Sequence, residues 1–298
     1  MFEEYGPIAR HCLDFVTDLG LISRHKSRVA NQISELSLQN LLELSKMACD
    51  IQLDLSHRIL LLRRRHVTNL QEIVLEPITR AVRRQLSLRL MQMERMSQLL
   101  AAYRHLERVS ESRPMAGFIF EVMVQLQFQD EIELDLVPMV ELQPTDRRKT
   151  ALWTSAPSLI APDLVATTNI SIDFWPERTV QYEGSILSDF QPDVYYLPRS
   201  SKQVAFDSFI LVDQILYIFQ FSIAAEHPIK ARITGFFSQP TFNTLLQGTE
   251  WRFIFIIPPG ETIPGPRASG DNIDAFRDRV SMFSAVFNPE NIVDGGNR

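Results

Sequence analysis

The residues of this chain best placed to do chemistry lie in one apolar stretch, Val204–Ile223 (VAFDSFILVDQILYIFQFSI). Asp207, Gln220 and Ser222 interrupt a run of β-branched and aromatic side chains there, and Asp213-Gln214 divides it into two strands of a hairpin. If those two residues form the turn, Val212 faces Ile215, Asp207 falls opposite Gln220, and Ala205 falls opposite Ser222. Side chains alternate with a period of two, so Asp207, Gln220 and Ser222 share one sheet face. Burying a carboxylate and an amide among apolar strands costs free energy unless they have partners. Mg²⁺ would be one such partner, because it accepts carboxylate and amide oxygens while keeping several waters. Asp207 could equally be a turn-side or cross-strand polar residue, and for Gln220 and Ser222 a purely structural role is the plainer reading.

Other common chemistries are missing. The chain has no G-x-x-x-x-G-K-[ST] phosphate loop, no G-x-G-x-x-G fingerprint and no G-x-S-x-G elbow. No CxxC or HExxH spacing offers zinc, and the six histidines (His11, His25, His57, His66, His105 and His227) are scattered. Cys12 and Cys49 are too few for a disulfide framework, and low cysteine usage fits a reducing compartment. Glu3, Glu4, Asp14 and Asp18 occupy the start, where a signal peptide would be basic and then apolar. The most apolar stretches, near Ile215–Ala225 and Phe253–Pro258, fall well short of the ~18 residues a membrane helix needs. The expectation is an intracellular protein with no membrane partner.

The elements that must position the hairpin read as follows. Glycine is absent between Gly20 and Gly117, and Pro77 is the one proline between Pro7 and Pro114. Such a stretch without breakers is expected to be helical. Leu38, Leu41, Leu42, Ile51, Leu55 and Ile59 mark one helical stripe over Gln32–Arg65. Val82, Leu86, Leu90, Met93, Met96, Leu100, Tyr103 and Leu106 mark a clearer one over Ile78–Val109, with Arg84, Arg95 and Arg108 opposite. A further helix, Met115–Gln129, carries Glu121 as its one charged residue, a candidate site acid that could instead cap a neighbouring loop or pair with an arginine such as Arg113. The period then shifts to two, with Ile132, Leu134 and Leu136 alternating with acids. Residues 143–169 read as a loop. Strands follow at Ile170–Phe174, Thr179–Tyr182 and Val194–Leu197, then the hairpin. A helix over Ile229–Phe237, a buried strand Trp251–Ile257 and an amphipathic helix Asn272–Phe287 complete the order. The predicted class is an α/β domain with a mixed sheet, residues 115–290, preceded by an all-α helical region, residues 1–114, and followed by a frayed tail, residues 291–298.

Charge is uneven around a formal net of −6. Residues 55–115 carry twelve arginines against five glutamates, and residues 116–298 carry thirteen bases against twenty-three acids. A basic helical arm beside an acidic domain could meet a polyanion such as DNA, or dock a partner protein. The triplet Arg63-Arg64-Arg65 sits within the helical pattern and is weak ground for nuclear import.

The hairpin resembles that of PD-(D/E)XK nucleases, which set an Asp at the start of one strand and an acid-x-Lys on the next. Asp207 matches the Asp, Gln220-Phe221-Ser222 the acid-x-Lys, and Glu121 an acid from a preceding helix. The stretches Ala116–Glu121, Val137–Val140, Tyr196–Pro198, Gln203–Phe209, Leu216–Ser222, His227–Ile229 and Phe236-Phe237 are similar to the C-terminal nuclease-like part of fungal Crinkler-type proteins. Those proteins are related to the retrotransposon hot spot family. The resemblance spans roughly residues 78–287.

This resemblance implies a restriction-endonuclease-like fold, a Mg²⁺-dependent DNA endonuclease ancestry and a nuclear setting. Metal ligands would be Asp207, Gln220 and Glu121, with Ser222 in the position of the lysine. The departures bear on mechanism. Gln220 offers an oxygen without charge, and Ser222 cannot supply a cation to the phosphate. Losing one charge-stabilising group typically costs about 10²–10³ in rate. Two functions follow: a weak Mg²⁺-dependent endonuclease, or a non-catalytic interaction or nucleic-acid-binding module that keeps the nuclease fold as a scaffold.

Overall fold

The protein is described by a computed structural model, which covers residues 19–46, 59–64, 73–142, 150–154, 169–182, 189–198, 206–221, 228–230, 232–243, 245–261, 267–269, 276 and 278–291. It divides into two compact units, Met1–Leu126 with Pro289–Arg298, and Gln127–Asn288.

In the first unit, helices α1 (Leu19–Glu35) and α2 (Leu38–Lys46) precede strands β1 (Leu60–Arg64) and β2 (Ile73–Pro77). Helices α3 (Arg80–Met93), α4 (Met96–Glu107) and α5 (Arg113–Gln127) follow. The expected stripe is buried at Val82, Leu86 and Leu90, but Met93 at the end of α3 is 57% exposed, and the stretch expected as one helix over Ile78–Val109 breaks at Glu94-Arg95 into α3 and α4. Thr79 caps α3, its Oγ1 accepting from the Val82 amide at 3.1 Å. Glu94 closes it in extended backbone, and its carboxylate accepts from the Leu38 amide at the start of α2 (3.1 Å). A carboxylate there satisfies an orphan donor and meets the positive end of the helix dipole.

The all-α expectation for this front needs correction. Leu60–Arg64 pairs antiparallel with Ile73–Pro77, Leu62 facing Leu75. Arg63 and Arg64 therefore lie on a strand, not on a helix. LLL and IVL are continuous apolar runs, and periodicity alone cannot separate a short buried strand from a helix.

The second unit is built on an eight-stranded mixed sheet in the order β6-β3-β14-β12-β10-β9-β8-β7. Its strands are β3 (Ile132–Pro138), β6 (Ile170–Phe174), β7 (Arg178–Tyr182), β8 (Val194–Pro198), β9 (Ser208–Val212), β10 (Ile215–Phe221), β12 (Glu250–Ile257) and β14 (Val280–Val286). A smaller sheet joins β11 (Pro228–Lys230), β13 (Arg267–Ser269), β5 (Thr150–Thr154) and β4 (Val140–Leu142). Short helices α6 (Arg232–Phe237) and α7 (Pro240–Asn243) lie between β11 and β12. Two further expectations change here. Thr150–Thr154 is a strand inside the expected loop. The expected helix Asn272–Phe287 contains instead β14, parallel to β12 with Phe253 facing Met282. Met282, Phe283, Ser284 and Ala285 are all buried, so both faces of β14 are covered and no polar face marks its period.

The large sheet curls strongly. Its two edge strands, β6 and β7, are joined by only Trp175-Pro176-Glu177, a span of at most about 15 Å. Phe174 of β6 packs its ring on Tyr217 of β10 at 5.1 Å. Four strand spacings on a flat sheet would hold them about 19 Å apart. The β3–β6 ribbon thus folds back over one face of the sheet. The other face carries Phe209, Leu211, Leu216, Ile218, Trp251, Phe253 and Phe255. These pack with Ile233, Phe236, Phe237 and Phe242 from the short helices.

Candidate functional site

The hairpin that would hold the site forms in the expected register, from Val212 opposite Ile215 to Ser208 opposite Phe219. Asp213 and Gln214 both take positive φ (49° and 63°), the signature of a two-residue type I′ turn. That turn matches the right-handed twist of the strands, and its length sets every pair above it.

At the open end the ladder changes character. The Asp207 amide donates to the Phe219 carbonyl at 2.8 Å. Its carboxylate reaches across, and Oδ2 accepts from the Phe221 amide at 2.8 Å. Asp207 therefore supplies from its side chain the acceptor that Phe221 would otherwise take from a strand backbone. An unpaired amide at that depth costs roughly 1–3 kcal/mol. Gln220 lies half-buried between these two residues and Phe255 of β12, which itself faces the buried Ser284 of β14. Its amide oxygen is shielded from solvent. Ser222, Ala205 and His227 lie outside the described residues.

Glu121 belongs to the first unit and is committed there. Its carboxylate accepts from both Nε and Nη2 of Arg83, Nε at 3.1 Å, a bidentate pair linking α5 to α3. One turn further along both helices, Ser87 donates to Gln125 at 2.9 Å. Arg83 also stands over the Phe118 ring, 5.4 Å from its centre. The partner is Arg83, thirty-eight positions upstream, a pairing that no local pattern signals.

A magnesium ion needs oxygen ligands with enough negative charge to replace part of its water shell. At the hairpin's open end the described side chains supply the Asp207 carboxylate, already taking a main-chain bond, and the neutral Gln220 amide. Both oxygens of Glu121 are held by a cation. Among the described residues no three His, Cys, Asp or Glu side chains gather as a metal site. The described residues by themselves do not fit the ion that the nuclease pattern implies.

The structure also assembles polar features the sequence reading missed. Tyr195, fully buried, donates its hydroxyl to Ser208 Oγ at 2.8 Å, and burial pushes that phenol far above its ordinary range. Arg252 on central strand β12 sits between the rings of Tyr217 and Phe283, 5.7 Å from each. It is ion-paired to Glu250 at 2.7 Å, and the hydrogen bond to Glu250 raises its affinity for the proton further. The aromatic letters were visible, but the faces they share depend on sheet order.

At the turn end of the sheet, Asp193 ties two connections together. Its amide donates to the Leu211 carbonyl and its carbonyl accepts from the Glu177 amide, both at 2.8 Å. Desolvation, then the charges of Glu177 and Asp213, raise its carboxyl above the usual range. A raised folded-state value means the native state prefers the protonated acid. That stability is fully present below the unfolded-state value and is lost as pH rises through the folded one. Asp193→Asn is therefore expected to be more stable than wild type at neutral pH by a few tenths of a kcal/mol. The gap should close as pH falls through the ordinary carboxylate range. Asparagine tolerates the positive φ of 58° at this position. Urea titrations of both proteins at several pH values check this, and a gap independent of pH would contradict it.

No helix among the described residues is long and apolar enough to cross a membrane. Comparison of the chain with protein-family models, with curated proteins and with solved structures found no match in any of the three.

Proposed function

We propose that this chain is a degenerate nuclease-like protein, a PD-(D/E)XK scaffold whose metal centre has been converted to structural use. Its present role would be binding rather than cleavage. The observation that carries this reading is the Asp207 carboxylate, which holds the amide of Phe221, the residue after the uncharged Gln220. The strand arrangement supports the ancestry. Three antiparallel strands (β8, β9, β10) are followed by the short β11 of the smaller sheet, two helices and a strand (β12) parallel to β10, in the sheet order β8-β9-β10-β12. A mixed sheet of this kind agrees with the α/β class that the resemblance implies. The Crinkler-type kinship, DNA as partner and a nuclear setting belong to the same proposal. Exposed arginines Arg95 and Arg108, at the two ends of α4, are the first candidates for a phosphate contact.

The competing reading, a weak Mg²⁺-dependent endonuclease, is favoured by one observation: Asp207 stands immediately before β9, one position beyond the Ser208–Phe219 pair, near the strand start where the nuclease pattern sets its Asp. The two separate cleanly. Calorimetry with Mg²⁺ and Mn²⁺ and a plasmid-cleavage assay are run on wild type and on Asp207→Ala. The scaffold reading expects neither metal binding nor cleavage in either protein, with Asp207→Ala less stable by roughly 1–3 kcal/mol. Metal-dependent cleavage by wild type that vanishes in the variant would establish the enzyme instead.

A further inference from the structure

The β3–β6 ribbon carries an arrangement that the nuclease reading does not use. Along β3, burial alternates strictly: Ile132, Leu134 and Leu136 face inward, and Glu133 and Asp135 are exposed. In β6 the inward residue is Ile172, and Ser171 and Asp173 face out. The antiparallel register sets Glu133 directly opposite Asp173 and Asp135 opposite Ser171. Two carboxylates directly opposed across a ladder destabilise it. Neither Glu133 nor Asp173 has a cationic partner among the described residues, and Asp135 meets only the Ser171 hydroxyl, at 2.8 Å.

Among the described residues the ribbon is also open on one side. β6 has β3 as its single neighbour among the described residues, so one row of its main-chain donors and acceptors is left to another strand. A sheet edge of this kind is where extended peptides add themselves. The spread of the charges selects the occupant. Among the described residues no three acidic side chains converge as a metal site, so the stripe does not suit a point cation. Glu133 and Asp135 are two residues apart on a strand, a spacing of about 6.7 Å. An extended segment with a lysine or arginine at every second position repeats that distance.

We propose that the β6 edge, with the acidic face of Glu133, Asp135 and Asp173, is a docking strip for an extended basic segment that pairs as an added strand. The partner's cations relieve the like-charge pair, and its backbone completes the ladder. The bland alternative is that the charges guard the edge against self-association, a common use of charge on edge strands.

The test uses the full chain and a synthetic ten-residue peptide alternating lysine and valine, at low salt, by fluorescence anisotropy. Three controls accompany it: the alternating glutamate–valine peptide, the lysine peptide N-methylated at alternate backbone positions, and the variant Glu133→Gln/Asp173→Asn. The expected result is binding of the lysine peptide alone, weakened at least about tenfold by the double substitution and by N-methylation. Equal binding of the N-methylated peptide would overturn strand pairing. Binding that the double variant leaves unchanged would overturn the site. No binding by wild type, together with concentration-dependent association of the neutralised variant, would show that the stripe guards the edge and does not recruit a partner.

Discussion

Replacing Phe209 with alanine is expected to cost about 3–5 kcal/mol of stability, the largest loss of any substitution considered for this chain. Phe209 is completely buried in β9. Its ring stacks on Tyr196 of the neighbouring strand, 5.0 Å between centres and 12° between planes. It meets Phe237 edge-on at 5.1 Å and Phe206 at 5.5 Å. Phe190, Tyr182, Phe236 and Phe242 lie near 6 Å around it. The residue thus joins strands β7, β8 and β9 to both short helices. Its loss removes the transfer free energy of the ring and leaves a cavity whose aromatic walls cannot close by rotamer changes alone. In a unit of this size the melting temperature should fall by roughly 10 °C. Phe209→Leu, which keeps most of the volume, should cost less than half as much. Thermal and urea unfolding of the two variants check this; a loss under about 1 kcal/mol for the alanine variant would mean the core closes over the gap.

Arg83→Ala is expected to cost about 2 kcal/mol, the second largest effect. The side chains of Arg83 and Glu121 are 30% and 21% exposed, so the pair is neither dry nor free in solvent. A fully exposed pair would contribute well under 1 kcal/mol. Here the geometry is bidentate, and the guanidinium also covers Phe118. Removing the arginine leaves a half-buried carboxylate with less to hold it. Arg83→Lys should recover little, because an ammonium cannot make two parallel bonds to one carboxylate. Glu121→Gln should cost less than Arg83→Ala, since an amide can still accept one of the two bonds. A double-mutant cycle over Arg83→Ala and Glu121→Gln should return a coupling near 1 kcal/mol. Strict additivity would show that the pair does not stabilise α3 against α5. The outcome bears on function as well: a carboxylate whose loss is felt first in unfolding experiments is a structural acid.

The hairpin was legible because two local rules were enough. Asp213-Gln214 is a turn of fixed length, and a period of two carries the register from Val212–Ile215 up to Ser208–Phe219 without further information. The helical stripe of α3, the alternation in β3 and the buried strand β12 were readable for the same reason, since each is a repeat within a dozen residues. Local pattern failed where burial was two-sided. β14 has covered faces on both sides, so its sequence offered no polar face to betray the period, and Leu60–Leu62 and Ile73–Leu75 were equally ambiguous. The site depended most on what lies far away in sequence. Whether Glu121 is a ligand or an ion-pair partner was decided by Arg83, one helix earlier. What the Asp207 carboxylate bonds to was decided by the Phe221 amide across the hairpin. The opposition of Glu133 to Asp173 was decided by which strand β6 pairs with. Residue types and short-range periodicity set the elements by themselves. The ionic and hydrogen-bond partners of each acid were set by chain folding, because a charge interacts with whatever lies within a few ångströms, wherever it stands in sequence.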